Sequence, residues 1–105
     1  MARKIKFVVY AARWFDRVNG NTYHSVRVVR VRDGEVIAAP IQYGYGDHYR
    51  QTALKIMAEA KWLPVKYRDR DARYRYEREN EYPIEWTVTD GLKRDCVRNG
   101  VVPSK

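Results

Sequence analysis

At 105 residues, with 45% apolar and 32% charged residues and a net charge of +8, the chain has the length of one domain (1–105) and the composition of a folded one with a charged surface. No apolar run approaches the ~20 residues that cross a bilayer. A single cysteine, Cys96, excludes an internal disulfide, and no Cys/His set has the spacing of a zinc site. The short apolar stretch that follows Arg3-Lys4 lacks a cleavage-type ending, so the expected setting is the cytoplasm. The charge is lopsided: residues 1–32 carry Arg3, Lys4, Lys6, Arg13, Arg17, Arg27, Arg30 and Arg32 against Asp16 alone, which is +7 of the total of +8.

Ile5, Phe7 and Val9 alternate with Lys4, Lys6 and Val8, the pattern of a strand with one buried face, and apolar character continues to Phe15. Asn19-Gly20 marks a turn, because both residues accept a positive φ. A second strand is expected over about 22–32. Asp33-Gly34 marks another turn, and a two-residue loop there sets Arg32 opposite Glu35 and Val31 opposite Val36. A third strand then runs to about Ile41 and either lies at an edge or ends there, because Pro40 has no N–H to give a neighbour.

Gly44-Tyr45-Gly46 reads as a loop and Asp47 as the cap of a helix. Tyr49, Ala53, Ile56, Met57, Ala60 and Leu63 share one face of that helix, and Pro64 stops it. Residues 66–79 hold ten charges in fourteen positions, interleaved with Tyr67, Tyr74 and Tyr76, and fit a helix, a ribbon or an arm equally well. Ile84, Trp86 and Val88 alternate as a further strand, and Leu92, Cys96 and Val97 suit a short last helix that ends at Asn99-Gly100. The expected fold is α+β: a three-stranded antiparallel sheet made of two hairpins, packed on one main helix, followed by a charged arm, a further strand and a short C-terminal helix.

No residue set assembles a catalytic site, a metal site or a cofactor loop. Gly44-Tyr45-Gly46 lacks the Lys-Ser/Thr of a nucleotide loop and the third glycine of a dinucleotide loop. His24 and His48 have the chemistry of an acid–base pair, yet nothing in their spacing joins them, and structural roles are expected. Arg94 and Arg98, four apart, suit either an anion or the negative end of the last helix. The Arg/Tyr stretch from Arg68 to Arg78 suits stacking on bases, but its acids point to internal pairing. The strongest signal is the first hairpin. Arg13, Arg17, Arg27, Arg30 and Arg32 flank the Asn-Gly turn, and a two-stranded ribbon with arginines fits a nucleic-acid groove.

Residues 21–26 (Asn-Thr-Tyr-His-Ser-Val), residues 43–53 (Tyr-Gly-Tyr-Gly-Asp-His-Tyr-Arg-Gln-Thr-Ala) and Trp14-Phe15 resemble small uncharacterised proteins of bacteriophages and prophages. The resemblance covers about the first sixty residues. It implies an accessory protein working in the bacterial cytoplasm, and it assigns no activity to any residue. The expected function is non-enzymatic binding of DNA or RNA by the hairpin arginines, without cofactor, metal or membrane, as a monomer or homodimer. The alternatives are inhibition of a host nucleoprotein or defence complex, of the anti-CRISPR type, and sequestration of a nucleotide signal.

Overall fold

The computed structural model describes residues 4–67, 69 and 72–101, with 72–74 as backbone alone. It is α+β: strands β1 (Phe7–Asp16), β2 (Asn21–Arg30), β3 (Val36–Tyr43) and β4 (Ile84–Asp90), with helices α1 (His48–Glu59), α2 (Ala72–Glu79) and α3 (Lys93–Asn99). The sheet has four strands, not three, in the order β3-β2-β1-β4. The two hairpins are antiparallel as expected, but β4 joins β1 in parallel, with Phe7 beside Ile84 and Arg13 beside Asp90. Alternation identified β4 as a strand but carries no information about its neighbour. That neighbour is set by the helical crossover, because parallel strands cannot be joined by a tight turn.

Alternate residues of each strand face α1. Phe7, Val9 and Ala11 of β1, Val26 and Val28 of β2 and Ile84 of β4 meet Ala53, Leu54 and Met57 of α1 in the core. Leucine and methionine side chains fully withdrawn from water each contribute about 2 kcal/mol or more. On α1, Tyr49 packs edge-on against Trp86 at 6.0 Å and Arg50 lies 4.8 Å above the same ring, which ties the helix to β4. The helix ends at Glu59, before Pro64 is reached. Its C-terminal carbonyls are taken by Lys61 N–H, bonded to Ala58 O, and Trp62 N–H, bonded to Met57 O. This closure needs a left-handed residue, usually glycine, and Lys61 fills it at φ 63°.

Both turns are longer than the dipeptides suggest. Gly20 and Gly34 adopt positive φ, at 69° and 73°, but neither Asn19 nor Asp33 does. A two-residue turn of the Asn-Gly type needs both. Instead Asp16 Oδ1 accepts from Val18 N–H and Asn19 N–H, and the ladder closes at Asp16–Asn21. Asp33 likewise accepts from Glu35 N–H and pairs with Arg30, so the second hairpin sets Val29, not Val31, opposite Val36. Val31 N–H turns to Lys6 O at 2.9 Å. Pro40 lies on the edge strand, where two residues, Pro40 and Ile41, sit opposite Ser25 in a bulge.

The other face of the sheet is partly covered by α3. Ser25 Oγ donates to the Cys96 carbonyl, and Asn99 Nδ2 donates to Tyr10 O at 2.9 Å and Ser25 O at 3.3 Å. Of Leu92, Cys96 and Val97, Cys96 alone is buried, and the other two are exposed. Of the charged stretch, Val65–Tyr67 forms a 3-10 turn and Ala72–Glu79 forms α2. Arg68, Arg70, Asp71 and the side chains of Arg73 and Tyr74 lie outside the described residues. Tyr67 and Tyr76 are core residues that meet edge-on at 5.2 Å, and Glu77 accepts from Trp86 Nε1 at 2.7 Å.

A β-carbon at Gly100 would sit 2.8 Å from the Ala39 carbonyl oxygen and 2.8 Å from Pro40 Cα. Backbone cannot yield as a side-chain tip does. Gly100→Ala is therefore expected to destabilise by about 1–3 kcal/mol, read as a fall in the urea midpoint at unchanged slope.

Candidate polyanion-binding groove

The five hairpin arginines do not share a face. Arg13 and Arg30 project on the α1 side, and Arg27, of opposite parity on β2, projects on the α3 side. Arg17 and Arg32 occupy the loops at opposite ends of a ten-residue ladder, about 30 Å apart. Three of the five are engaged internally. Arg13 grips Asp90 with two bonds, at 2.7 and 3.0 Å, and donates to Gly46 O at 2.9 Å. Arg30 grips Asp33 at 3.0 and 2.6 Å. Arg27 donates to the carbonyls of Arg98 and Val101 and so fastens the end of α3. These contacts hold the Asp90 carboxyl below the usual range and that of Asp33 down to about 2, chiefly through the arginine hydrogen bonds. The five arginines that flank the Asn-Gly turn in sequence therefore do not act as one ribbon surface in space. Side chains alternate along β2, so arginines close in sequence leave the sheet on opposite sides.

Positive charge is concentrated elsewhere. Residues 4–6 run between the β2–β3 loop and the start of β4, held by Lys6 N–H bonded to Pro83 O at 2.8 Å and by Val31 N–H bonded to Lys6 O. This places Lys4 and Lys6 beside Arg30, Arg32 and Lys61 around a groove of about 530 Å³ floored by Phe7, Trp62 and Tyr76. Trp62 stacks on Phe7 at 5.8 Å, and the Arg30 guanidinium lies 4.7 Å from its centroid. Among the described residues no carboxylate lines the groove, and Lys4, Lys6, Arg32 and Lys61 make no ion pair. The hairpin thus supplies Arg30 and Arg32. Lys61 and Trp62 were not singled out in the sequence. A Lys-Trp pair following a helix and preceding proline is the only local signal they carry.

A larger cleft of about 830 Å³ lies at the opposite end, between the tip of β1, Gly46 and the β4–α3 junction. Its lining charges cancel: Arg13 and Arg17 against Asp16 and Asp90. Its rim is apolar, with Phe15 55%, Val18 92% and Leu92 56% exposed. The two ends therefore differ in kind, one cationic and one neutral and apolar.

The histidines do meet, with rings 5.3 Å apart. His24 is fully buried. Its Nδ1 lies 3.1 Å from Gly44 O and its Nε2 2.7 Å from Thr52 Oγ1. A carbonyl only accepts, so Nδ1 carries the proton of the neutral ring and Nε2 accepts from the threonine. Burial pushes the His24 pKa down. The ring serves as a polar bolt between β2, the Gly44 loop and α1, and Gly44 is glycine because a β-carbon would stand 2.6 Å from the His24 ring. Arg94 and Arg98 are exposed on α3. Among the described residues no group of three His, Cys, Asp or Glu side chains is placed to hold a metal ion, and no helix is long and apolar enough to cross a membrane. Comparison with protein-family models, curated proteins and solved structures finds no match.

Because the folded His24 pKa is lowered from 6.5 while the unfolded value is not, the unfolded chain binds the extra proton first as pH falls. The stabilisation is complete above about pH 6.5 and declines as pH drops toward the lowered folded value. Urea titrations at pH 7.5 and pH 5.5 are expected to show lower stability at acid pH, and His24→Gln is expected to flatten that difference.

Proposed function

We propose that this chain is a non-enzymatic, phage-type accessory protein that binds nucleic acid through the phosphate backbone, using Lys4, Lys6, Arg32 and Lys61 at the groove. The observation that carries the reading is the meeting of five cations around an aromatic floor, with no lining acid among the described residues. Phosphates are gripped by such point charges, and each neutralised phosphate releases a counterion. Arg30, already bound to Asp33 and resting on Trp62, would orient the groove more than bind within it.

Lys61 adds a second support. A non-glycine residue in left-handed conformation costs about 1–2 kcal/mol, and glycine is the usual occupant of that helix-terminal position. Glu81 and Tyr82 share that conformation, but of the three Lys61 alone lines the groove, and a long cation kept there despite the strain fits a role outside folding. Lys61→Gly is expected to act in opposite directions on two readouts. It should raise stability by about 1 kcal/mol and weaken binding. A variant that gains stability with unchanged affinity would count against the groove.

A second reading, a protein inhibitor of a host complex, is favoured by the exposed Phe15, Val18 and Leu92 around the neutral cleft. Apolar side chains at that density suit a protein partner and do nothing for phosphates. A stoichiometric protein partner that survives nuclease digestion and is lost on Phe15→Ala would favour it.

Anisotropy titrations with duplex DNA and with single-stranded RNA test the leading reading. With about four phosphate contacts, affinity for duplex should fall roughly a hundredfold between about 50 and 200 mM salt. Replacing Lys4, Lys6 and Arg32 with alanine should reduce the logarithmic salt slope by about 3, whereas Arg17→Ala, at the other end of the sheet, should leave it unchanged. Absence of binding to either nucleic acid at low salt would remove the proposal.

A further inference from the structure

The sheet has two edges, and they are not equivalent. On β3 the ladder is interrupted by Pro40, which has no N–H, and by the bulge at Pro40–Ile41. Proline and bulges are the usual guards of an exposed edge. β4 has neither: its seven residues, Ile-Glu-Trp-Thr-Val-Thr-Asp, contain no proline, glycine or lysine. Among the described residues no backbone group bonds to its outer side.

The direction of each β4 amide follows from the bonds at the two ends of the parallel ladder. Phe7 N–H bonds to Pro83 O at 3.2 Å, and Gly91 N–H bonds to Arg13 O at 2.9 Å. In a parallel pair the residues that bond to the neighbour alternate with those that turn away. Glu85, Thr87 and Thr89 therefore spend their N–H and C=O groups on β1. Ile84, Trp86, Val88 and Asp90 present theirs outward.

We infer that this edge pairs with β4 of a second copy, antiparallel, about a two-fold axis through Thr87. In that register Trp86 lies opposite Val88 of the second copy and Ile84 opposite its Asp90, so every outward-facing amide meets an outward-facing partner. A two-fold interface must be self-complementary, and this strand is. The charges agree. No lysine or arginine lies on β4, so no cation of the strand meets a cation of the second strand across the axis. Its two acids, Glu85 and Asp90, face Thr89 and Ile84 of the second copy and not each other. Val88 is 37% exposed, and its contact with Trp86 across the axis would cover apolar surface that the single chain leaves to water. The product is one continuous eight-stranded sheet with a groove in each half.

Sedimentation equilibrium of the full chain, with two substitutions at exposed Thr87, tests this. Thr87 does not bond across the axis, and such pairs bring Cα atoms to about 4.5 Å, within disulfide range. Thr87→Cys is expected to form a cross-linked dimer on mild oxidation, and Thr89→Cys, which faces Glu85, is not. Thr87→Lys sets two like charges together and should raise the dimer dissociation constant at least tenfold, with an unchanged circular dichroism spectrum and, at concentrations where both chains are monomeric, an unchanged melting temperature. A wild-type chain that stays monomeric at high micromolar concentration overturns the inference. So does a dimer that ignores Thr87→Lys and leaves Thr87→Cys uncross-linked. Binding of an extended peptide from another protein along β4, with no self-association, overturns the choice of a second copy as occupant.

Discussion

The pairing of β1 on both sides is the constraint on which the molecule rests. The strand forms an antiparallel ladder with β2 and a parallel ladder with β4, and it is buried at Phe7, Val9, Ala11 and Ala12. Its inner face meets α1, and its outer face gives the Tyr10 carbonyl to Asn99 of α3. Each end then opens on a different chemistry. The N-terminal end continues into residues 4–6 and the lysines of the groove. The C-terminal end reaches Arg13, whose two hydrogen bonds to Asp90 close the parallel ladder beside the apolar cleft. A perturbation of β1 would reach both surfaces at once.

Much of the fold was legible because it follows from period. Alternation at Phe7 and Val9 and at Ile84 and Trp86 marked two strands, and the run between the Asn-Gly and Asp-Gly turns marked another. The spacing of Tyr49, Ala53 and Met57 marked α1, and Pro40 marked an edge or an end of β3. What could not be read were relations set by tertiary contact. The parallel neighbour of β4 depends on the path of the crossover. The burial of Tyr67 and Tyr76 depends on Phe7 and on each other. The hairpin registers turned on side-chain acceptors, Asp16 and Asp33, that took over amides the dipeptide pattern assigned to the ladder.

The charge map shows a different kind of loss. Summing charge over residues 1–32 discards parity, and parity was present in the sequence. Arg27 and Arg30 are three apart, so on a strand they must leave opposite faces. Their fates follow from that: Arg27 secures α3, and Arg30 secures a turn and lies over Trp62. The cations at the groove that make no ion pair among the described residues come from three separate places, the N-terminal segment, a loop and the end of α1. No window along the chain brings them together. The aromatic residues show the same dependence on tertiary context. Trp14, Tyr23 and Tyr43 stand side by side across three strands, at 5.5 and 6.0 Å, although they are far apart in sequence.

The seat of Cys96 has a practical consequence. Its sulfur is fully enclosed between Ala12 and Ser25, and burial raises its pKa. Alkylating reagents need both access and thiolate, so the native thiol should be silent until α3 lifts from the sheet. The rate of its modification is therefore a clock for that local opening. It requires no engineered label, and it separates the departure of one helix from the unfolding of the whole chain.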